Sequence, residues 1–383
     1  MEQTDRRTLG DIAPTLPASF YLDPAHYERE LDSIWYASWV YLGRSSEIEQ
    51  SGDFRVFELG SQSIVVTRSS AGGLTAFHNT CRHRGSALCT EESGHFRGGS
   101  IVCPYHQWTY SLDGRLRSTP HRLESPDFRY EDYPLYRVSI EERAGFVFVH
   151  LGADPPPLLE AFDPGPEPLR NWHLEDLRVG HRTRRVVACN WKIFWENYHE
   201  CLHCPSTHPE LAKIVPAYGK GLLSEDETDA SRALDSPDDL EEPPLAEGAV
   251  TWTLDGESRL PTLPGLTEEE KQRGQTYWTS EPGFFVVAHR DYARCARVLP
   301  RGVDEIEVQT EWLFQPSVLA REDFDLEHAT ALGERVVTQD ARACELNQRG
   351  MRALPHERGV IVKQEYWVAR FQEWIRERLD DGR

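Results

Sequence analysis

The sequence predicts an α+β protein: an N-terminal all-β domain, then a C-terminal domain with an antiparallel sheet flanked by helices. Three observations carry that expectation. From Tyr41 to Leu151 the apolar residues fall in short alternating or continuous runs separated by turn residues. Beyond residue 173, strand-like runs are joined by two long segments of helical period. Between the two portions runs Pro155-Pro156-Pro157 to Pro164-Gly165-Pro166, which reads as a linker.

Taken in order, Asp23-Pro24 gives an N-cap followed by proline at the first helical position. Tyr27, Leu31, Ile34 and Trp35 then recur at helical spacing, predicting an amphipathic helix to about Trp39. Strands are expected at Phe54-Arg55-Val56-Phe57, Ser63-Ile64-Val65-Val66-Thr67, Leu74-Thr75-Ala76-Phe77 and Gly145-Phe146-Val147-Phe148-Val149-His150-Leu151, with turns at Ala71-Gly72-Gly73 and Asp113-Gly114. In the second portion strands are expected at Arg185 to Cys189, Phe284 to Val287, Ala296 to Leu299 and Glu305 to Phe314. Two helices close the chain, Glu322 to about Arg349 and Glu365 to Leu379, the last with Trp367, Phe371, Trp374 and Ile375 on its apolar face. Residues 224–247 hold ten acids and one arginine, the composition of a solvated loop. The resulting division is an N-terminal helical segment at 1–40, a β domain at 41–152, a linker at 153–172 and a mixed domain at 173–383.

The bulk numbers narrow the function. A hydrophobic content of 39% with 27% charged residues belongs to an ordinary globular protein. No run approaches the roughly 18 apolar residues of a membrane span, and the N-terminus lacks the apolar core of a signal peptide, so a cytoplasmic location is expected. A net charge of -21 argues against nucleic acid or an anionic membrane as partner. In that setting the eight cysteines are expected as thiols or metal ligands.

Two constellations carry chemistry. The first is Cys81-x-His83 with Cys103-x-x-His106, nineteen residues apart. Two thiolates on one iron and two imidazoles on the other make a Rieske [2Fe–2S] centre, and the neutral imidazoles raise its potential by removing negative charge. A structural Cys2His2 zinc site uses the same residue types. The second constellation is Glu196 to His208, where three histidines, two acids and two cysteines fall within thirteen residues. Glu200, His203 and His208 suit a non-heme iron site, whereas His199-Glu200-x-x-His203 formally fits the zinc-protease motif. The protease reading leaves the first constellation without a role, and Pro205 would end its helix early.

Cys81-Arg82-His83-Arg84-Gly85 with Cys103-Pro104-Tyr105-His106-Gln107-Trp108-Thr109-Tyr110 resembles the Rieske domain of the Rieske non-heme iron oxygenases, α-subunit type. Asn190-Trp191-Lys192, Glu196-Asn197-Tyr198, Glu200-Cys201-Leu202-His203-Cys204-Pro205 and His208-Pro209 are similar to the family's catalytic segment. The one departure is a longer gap between the Cys/His pairs, which predicts an added surface loop around Glu91 to Gly98.

The resemblance implies one [2Fe–2S] cluster on Cys81, His83, Cys103 and His106, and one mononuclear Fe(II) on His203, His208 and a distant carboxylate. Asp340 is the best match, in Thr338-Gln339-Asp340 with Glu345, Gln348 and Gly350 following; Asp304, Asp323 and Asp325 are the other acids available. Glu200 resembles the acid that links the iron to a neighbouring subunit's cluster. As glutamate it is similar to the branch that oxidises carnitine, choline and glycine betaine. The family further implies a homotrimer. It also implies a separate flavin/iron–sulfur reductase through which NAD(P)H is used indirectly, and O2 as co-substrate. The expected reaction is hydroxylation of a small organic molecule, either a quaternary ammonium or N-methyl compound or an aromatic acid. Eleven Trp and fourteen Tyr supply material for a cation–π cage or simply for core.

Overall fold

The computed structural model describes residues 9–161, 167–221 and 243–380. The expected acidic loop at 224–247 therefore lies, as far as residue 242, outside the described residues. The chain divides into two compact units, one being Trp35–Asp163 and the other joining Met1–Ile34 to Pro164–Arg383.

The first unit is all-β. Ten strands are β1 (Val40–Arg44), β2 (Asp53–Leu59), β3 (Gln62–Arg68), β4 (Leu74–His78), β5 (Ser93–His95), β6 (Ser100–Val102), β7 (Thr109–Ser111), β8 (Leu116–Ser118), β9 (Arg137–Arg143) and β10 (Phe146–His150). A seven-stranded antiparallel sheet runs β1-β10-β9-β4-β3-β2-β5, and β6-β7-β8 form a small second sheet. The Asp113-Gly114 turn requires glycine: Gly114 has φ +85°, and a Cβ there would run into the Phe77 ring. The added segment at Glu91–Gly98 is on the surface but is not simply a loop. Its Ser93–His95 pairs with Asp53–Arg55 as an exposed edge strand.

In the second unit the Asp23 side chain accepts from Ala25 N and starts α1 (Pro24–Glu30), which passes into a π-turn at Leu31–Trp35. A five-stranded antiparallel sheet is ordered β11-β15-β14-β13-β12. Its strands are β11 (Arg178–Val187), β12 (Gln275–Ser280), β13 (Phe284–His289), β14 (Ala293–Gly302) and β15 (Glu305–Phe314). Four more helices carry or brace the polar side chains of this unit: α2 (Trp191–Tyr198), α3 (Cys204–Thr207), α4 (Leu326–Gly350) and α5 (Tyr366–Asp380). The apolar face of α5 agrees with expectation at Phe371 and Ile375, which are buried, but it continues through Val368 and Leu379, whereas Trp367 is 47% exposed. Spacing alone cannot tell which of two adjacent stripes meets the core.

Two interactions set α2 against its neighbours. The Asn190 side chain caps α2 by accepting from Lys192 N, while its backbone N–H donates to Gln348 of α4 at 2.7 Å. Lys192 of α2 forms a fully buried ion pair with Glu30 of α1 at 2.6 Å.

Candidate metal centres

The Cys/His pairs lie on two loops with matching backbone frames. Cys81 O accepts from Gly85 N, and Cys81 N donates to Ser86 O; Cys103 O accepts from Gln107 N, and Cys103 N donates to Trp108 O. The i+4 residue has positive φ in each loop, 75° at Gly85 and 59° at Gln107. Both cysteines are buried in the core around Val65, Phe77 and Tyr110. The histidines point outward, with His83 Nδ1 and His106 Nδ1 3.2 Å apart and His83 stacked on Trp108. Burial pushes the Cys81 thiol up, and the neighbouring Cys103 thiol adds to this. A thiol so placed keeps its proton unless a metal replaces it. Tyr110 OH approaches Cys81 Sγ at 3.2 Å and accepts from Arg82 N at 3.1 Å. Two buried sulfurs beside two converging imidazole nitrogens, one end dry and one wet, fit a cluster whose histidine edge meets solvent.

The second group is assembled from the turn after α2, the two ends of α3 and the middle of α4. Helix α2 ends at Tyr198, so His199 and His203 do not share a helix face. His199 instead lies 3.0 Å from Glu281, and this removes the zinc-protease alternative, which needs both histidines one turn apart on one helix. Pro205 occupies the first turn of α3, where its missing N–H costs nothing. The short helix carries the chain from His203 to His208.

His203 Nε2, His208 Nε2 and Asp340 Oδ1 form a triangle with sides of 3.2, 2.8 and 3.4 Å. Ligands on one face of an octahedron, with bonds of about 2.1 Å, are about 3.0 Å apart. The other nitrogens fix the tautomers. His203 Nδ1 lies 2.6 Å from Glu200 Oε1, and His208 Nδ1 lies 2.8 Å from Gln339 Oε1. Gln339 in turn donates its amide to Glu210, which keeps its oxygen toward the ring. Each imidazole thus gives its Nδ1–H away and turns the Nε2 electron pair inward. Three electron-pair donors at this separation repel one another unless a cation sits among them. Burial opposes charge on His203, but Asp340 and Glu200 outweigh it and push its pKa up to about 9, so that with no cation among the donors the ring itself takes a proton on Nε2. The pocket demands positive charge, and the donor set fits iron(II).

The competing acids are committed elsewhere. Asp304 pairs with Arg352, Asp323 with Arg321, and Asp325 caps α4 while pairing with Arg259. Cys204 Sγ also lies near both histidines, but it is joined to Cys201 in a disulfide and so offers no thiolate. That disulfide differs from the expectation of free thiols. Glu200 Oε2 accepts from Leu202 N and His203 N, holding the carboxylate against the ring it serves. Gln339 and Tyr110 stand in the segments read from the sequence, but nothing in their residue type marks them as partners of the donor groups.

A family model described as "Ring hydroxylating alpha subunit (catalytic domain)" matches residues 174–381, and the "Rieske [2Fe-2S] domain" model matches residues 38–129. The oxygenase subunit of glycine betaine monooxygenase from Chromohalobacter salexigens is 31% identical over 396 residues, covering 96% of this chain and 86% of the relative. The oxygenase subunit of carnitine monooxygenase from Escherichia coli is 34% identical over 209 residues, 52% of this chain and 54% of the relative. Among solved structures, the quaternary ammonium Rieske monooxygenase CntA with L-carnitine superimposes with a TM-score of 0.71 at 22% identity, covering 96% of each chain. Among the described residues no helix is long and apolar enough to cross a membrane.

Proposed function

This chain belongs to the Rieske non-heme iron oxygenases, α-subunit type, and we propose from that footing that it oxidises a small quaternary ammonium or N-methyl compound. It is an oxidoreductase, the oxygenase component of a system in which a separate reductase supplies electrons and O2 is co-substrate. The reading of the substrate rests on the relatives, whose names are those of glycine betaine and carnitine monooxygenases. Hydroxylation of a carbon attached to nitrogen gives a hemiaminal that breaks down with loss of the alkyl group.

In this reading Cys81 and Cys103 hold one iron of the [2Fe–2S] cluster and His83 and His106 the other, while His203, His208 and Asp340 hold the mononuclear iron. The observation that carries the second assignment is the inward-facing Nε2 pair closed by Asp340 Oδ1. The iron, when bound, supplies open positions for O2 activation. Glu200 accepts the His203 Nδ1–H, orients the ring and can move a proton as electrons arrive. We further take the protein to be cytoplasmic and to work as a homotrimer in which one subunit's cluster serves the next subunit's iron. Support for the ring is the family, and closure of such a heterologous contact is the ordinary outcome of a threefold rotation.

Cys81→Ser and His106→Ala should each bleach the visible absorbance of the cluster while leaving iron at the second site. Unchanged spectra in both variants would remove them from the ligand set. The substrate class is tested by reductase-coupled O2 uptake across betaines, choline and aromatic acids. Uptake with formaldehyde release from N-methyl compounds is the expected result, and uptake with aromatic acids alone would reject it.

A further inference from the structure

Arg294 is a buried cation without a counter-ion among the described residues. Only 5% of it is exposed, its one hydrogen bond is a long one, 3.4 Å to Gly333 O, and its Nε has no partner. The nearest acid in sequence, Asp291, uses its two oxygens on Thr251 and Ser258. A guanidinium in such surroundings is costly unless something anionic joins it.

The donors around it are also unused. Arg294 stands opposite Trp312 in the sheet, and Trp312 Nε1 has no partner. His289, wholly buried, has neither ring nitrogen engaged, and burial first, then Arg294, pushes its pKa well below the ordinary value. It is therefore a neutral ring with one N–H to give. The Trp252 ring lies 5.3 Å from His289 and 5.7 Å from the Arg294 guanidinium. The Arg294, His289 and Trp312 side chains rise from the sheet face that meets α2 and α4: on that face Thr279 bonds Tyr198 of α2, and Arg294 bonds Gly333 of α4. Gly333 lets α4 approach these side chains closely, since a Cβ there would sit 3.2 Å from Arg294 Cδ and 3.1 Å from Trp312 Cζ2. Asp340 follows seven residues later on α4, about 10 Å of helical rise.

We propose that Arg294, assisted by His289 and Trp312, binds the carboxylate of the substrate, so that this oxygenase selects a betaine over an amino alcohol. The ammonium end rests on the substrate class proposed above from the relatives; the carboxylate end does not. Calorimetric titration of the holoprotein under nitrogen, without reductase, tests both. The panel is glycine betaine, γ-butyrobetaine, the methyl ester of the better of these, choline, and benzoate.

The expected result is that a betaine binds at least about 100-fold tighter than its ester or choline, since hydrogen bonds to a charged group are the strong ones. Arg294→Gln should remove that preference, and Arg294→Lys should keep part of it. Equal affinity for betaine, ester and choline in the unaltered protein overturns the subsite and leaves the ammonium reading standing. Binding of benzoate alone, lost in Arg294→Gln, overturns the ammonium reading and keeps the subsite. Binding of no carboxylate in the panel, or a variant that weakens ester and betaine alike, also overturns the subsite. The ester comparison needs no variant, so it holds even if neither replacement folds.

Discussion

Asp340→Ala is expected to lose mononuclear iron and reduce substrate oxidation by at least about 100-fold while the cluster's visible spectrum is unchanged. Disturbing the partners of a ligand already costs about 10–100-fold in metal affinity or activity, so removing a ligand sets that range as a floor. Asp340 is the only carboxylate among the described residues within 3.5 Å of both Nε2 atoms, at 2.8 and 3.4 Å. Without it two neutral imidazoles remain, whose tautomers are still fixed by Glu200 and Gln339 but which carry no charge to offset a divalent ion. Metal analysis should therefore fall from three irons per chain toward the two of the cluster. The same variant distinguishes the assignment from a purely structural ion pair. If Asp340 only paired with the histidines, iron content would stay at three and the loss would appear as a lower unfolding temperature alone. Asp340→Glu, which retains the charge but moves it by one methylene, should recover part of the iron and little of the turnover.

Much of the proposed metal chemistry is legible in the sequence because short-range sequence constrains it. Cys81-x-His83 and Cys103-x-x-His106 each sit within one loop, and His203 and His208 are joined by one short helix. Asp340 can be chosen from the sequence only by resemblance, because 132 residues separate it from His208. What selects it physically is the packing of α4 against α2, through bonds such as Asn190 N to Gln348. The strand at Glu305–Phe314 follows from its apolar and β-branched run, but of Arg178–Val187 only the end from Arg185 is expected, because its first seven residues carry three arginines, a histidine and a glycine in place of an apolar run. Gln275–Ser280 escapes the sequence reading: its Gln-Thr-Tyr-Trp-Thr-Ser alternates weakly and lies against helix and sheet, so no polar face marks it. The early end of α2 escapes it too, since Trp191 to Leu202 has a continuous helical pattern. There tertiary demand wins over local propensity, as Glu200 turns its carboxylate back onto Leu202 N and His203 N. Arg294 is not recognisable at all, because an arginine within Ala293 to Leu299 reads like any strand residue until its missing counter-ion is visible.

The second large effect concerns the scaffold under the iron site. Lys192→Met should destabilise the protein by about 3–5 kcal/mol, the range for breaking a buried ion pair by removing one partner. Both side chains are wholly inaccessible, Lys192 Nζ meets both Glu30 oxygens at 2.6 and 2.7 Å, and Trp191 Nε1 donates to the same carboxylate. With Lys192 gone, Glu30 keeps only the indole, and an ionised carboxylate in that position has no compensating charge. The cost comes from the stranded partner more than from the lost attraction, so the paired replacement Glu30→Met with Lys192→Met should recover most of the stability. Chemical denaturation of the two single variants and the double variant measures this directly. A double variant as unstable as Lys192→Met would mean that the pair contributes through packing or through the Trp191 bond, and the charge argument would fall. The effect should also reach the iron, because Lys192 lies in the first turn of the helix that leads to Glu200 and His203. Burial lowers the lysine's pKa, and Glu30 opposes that shift. The single variant should therefore lose mononuclear iron more readily on chelation than the double variant, in which α1 and α2 close on each other without a charge between them.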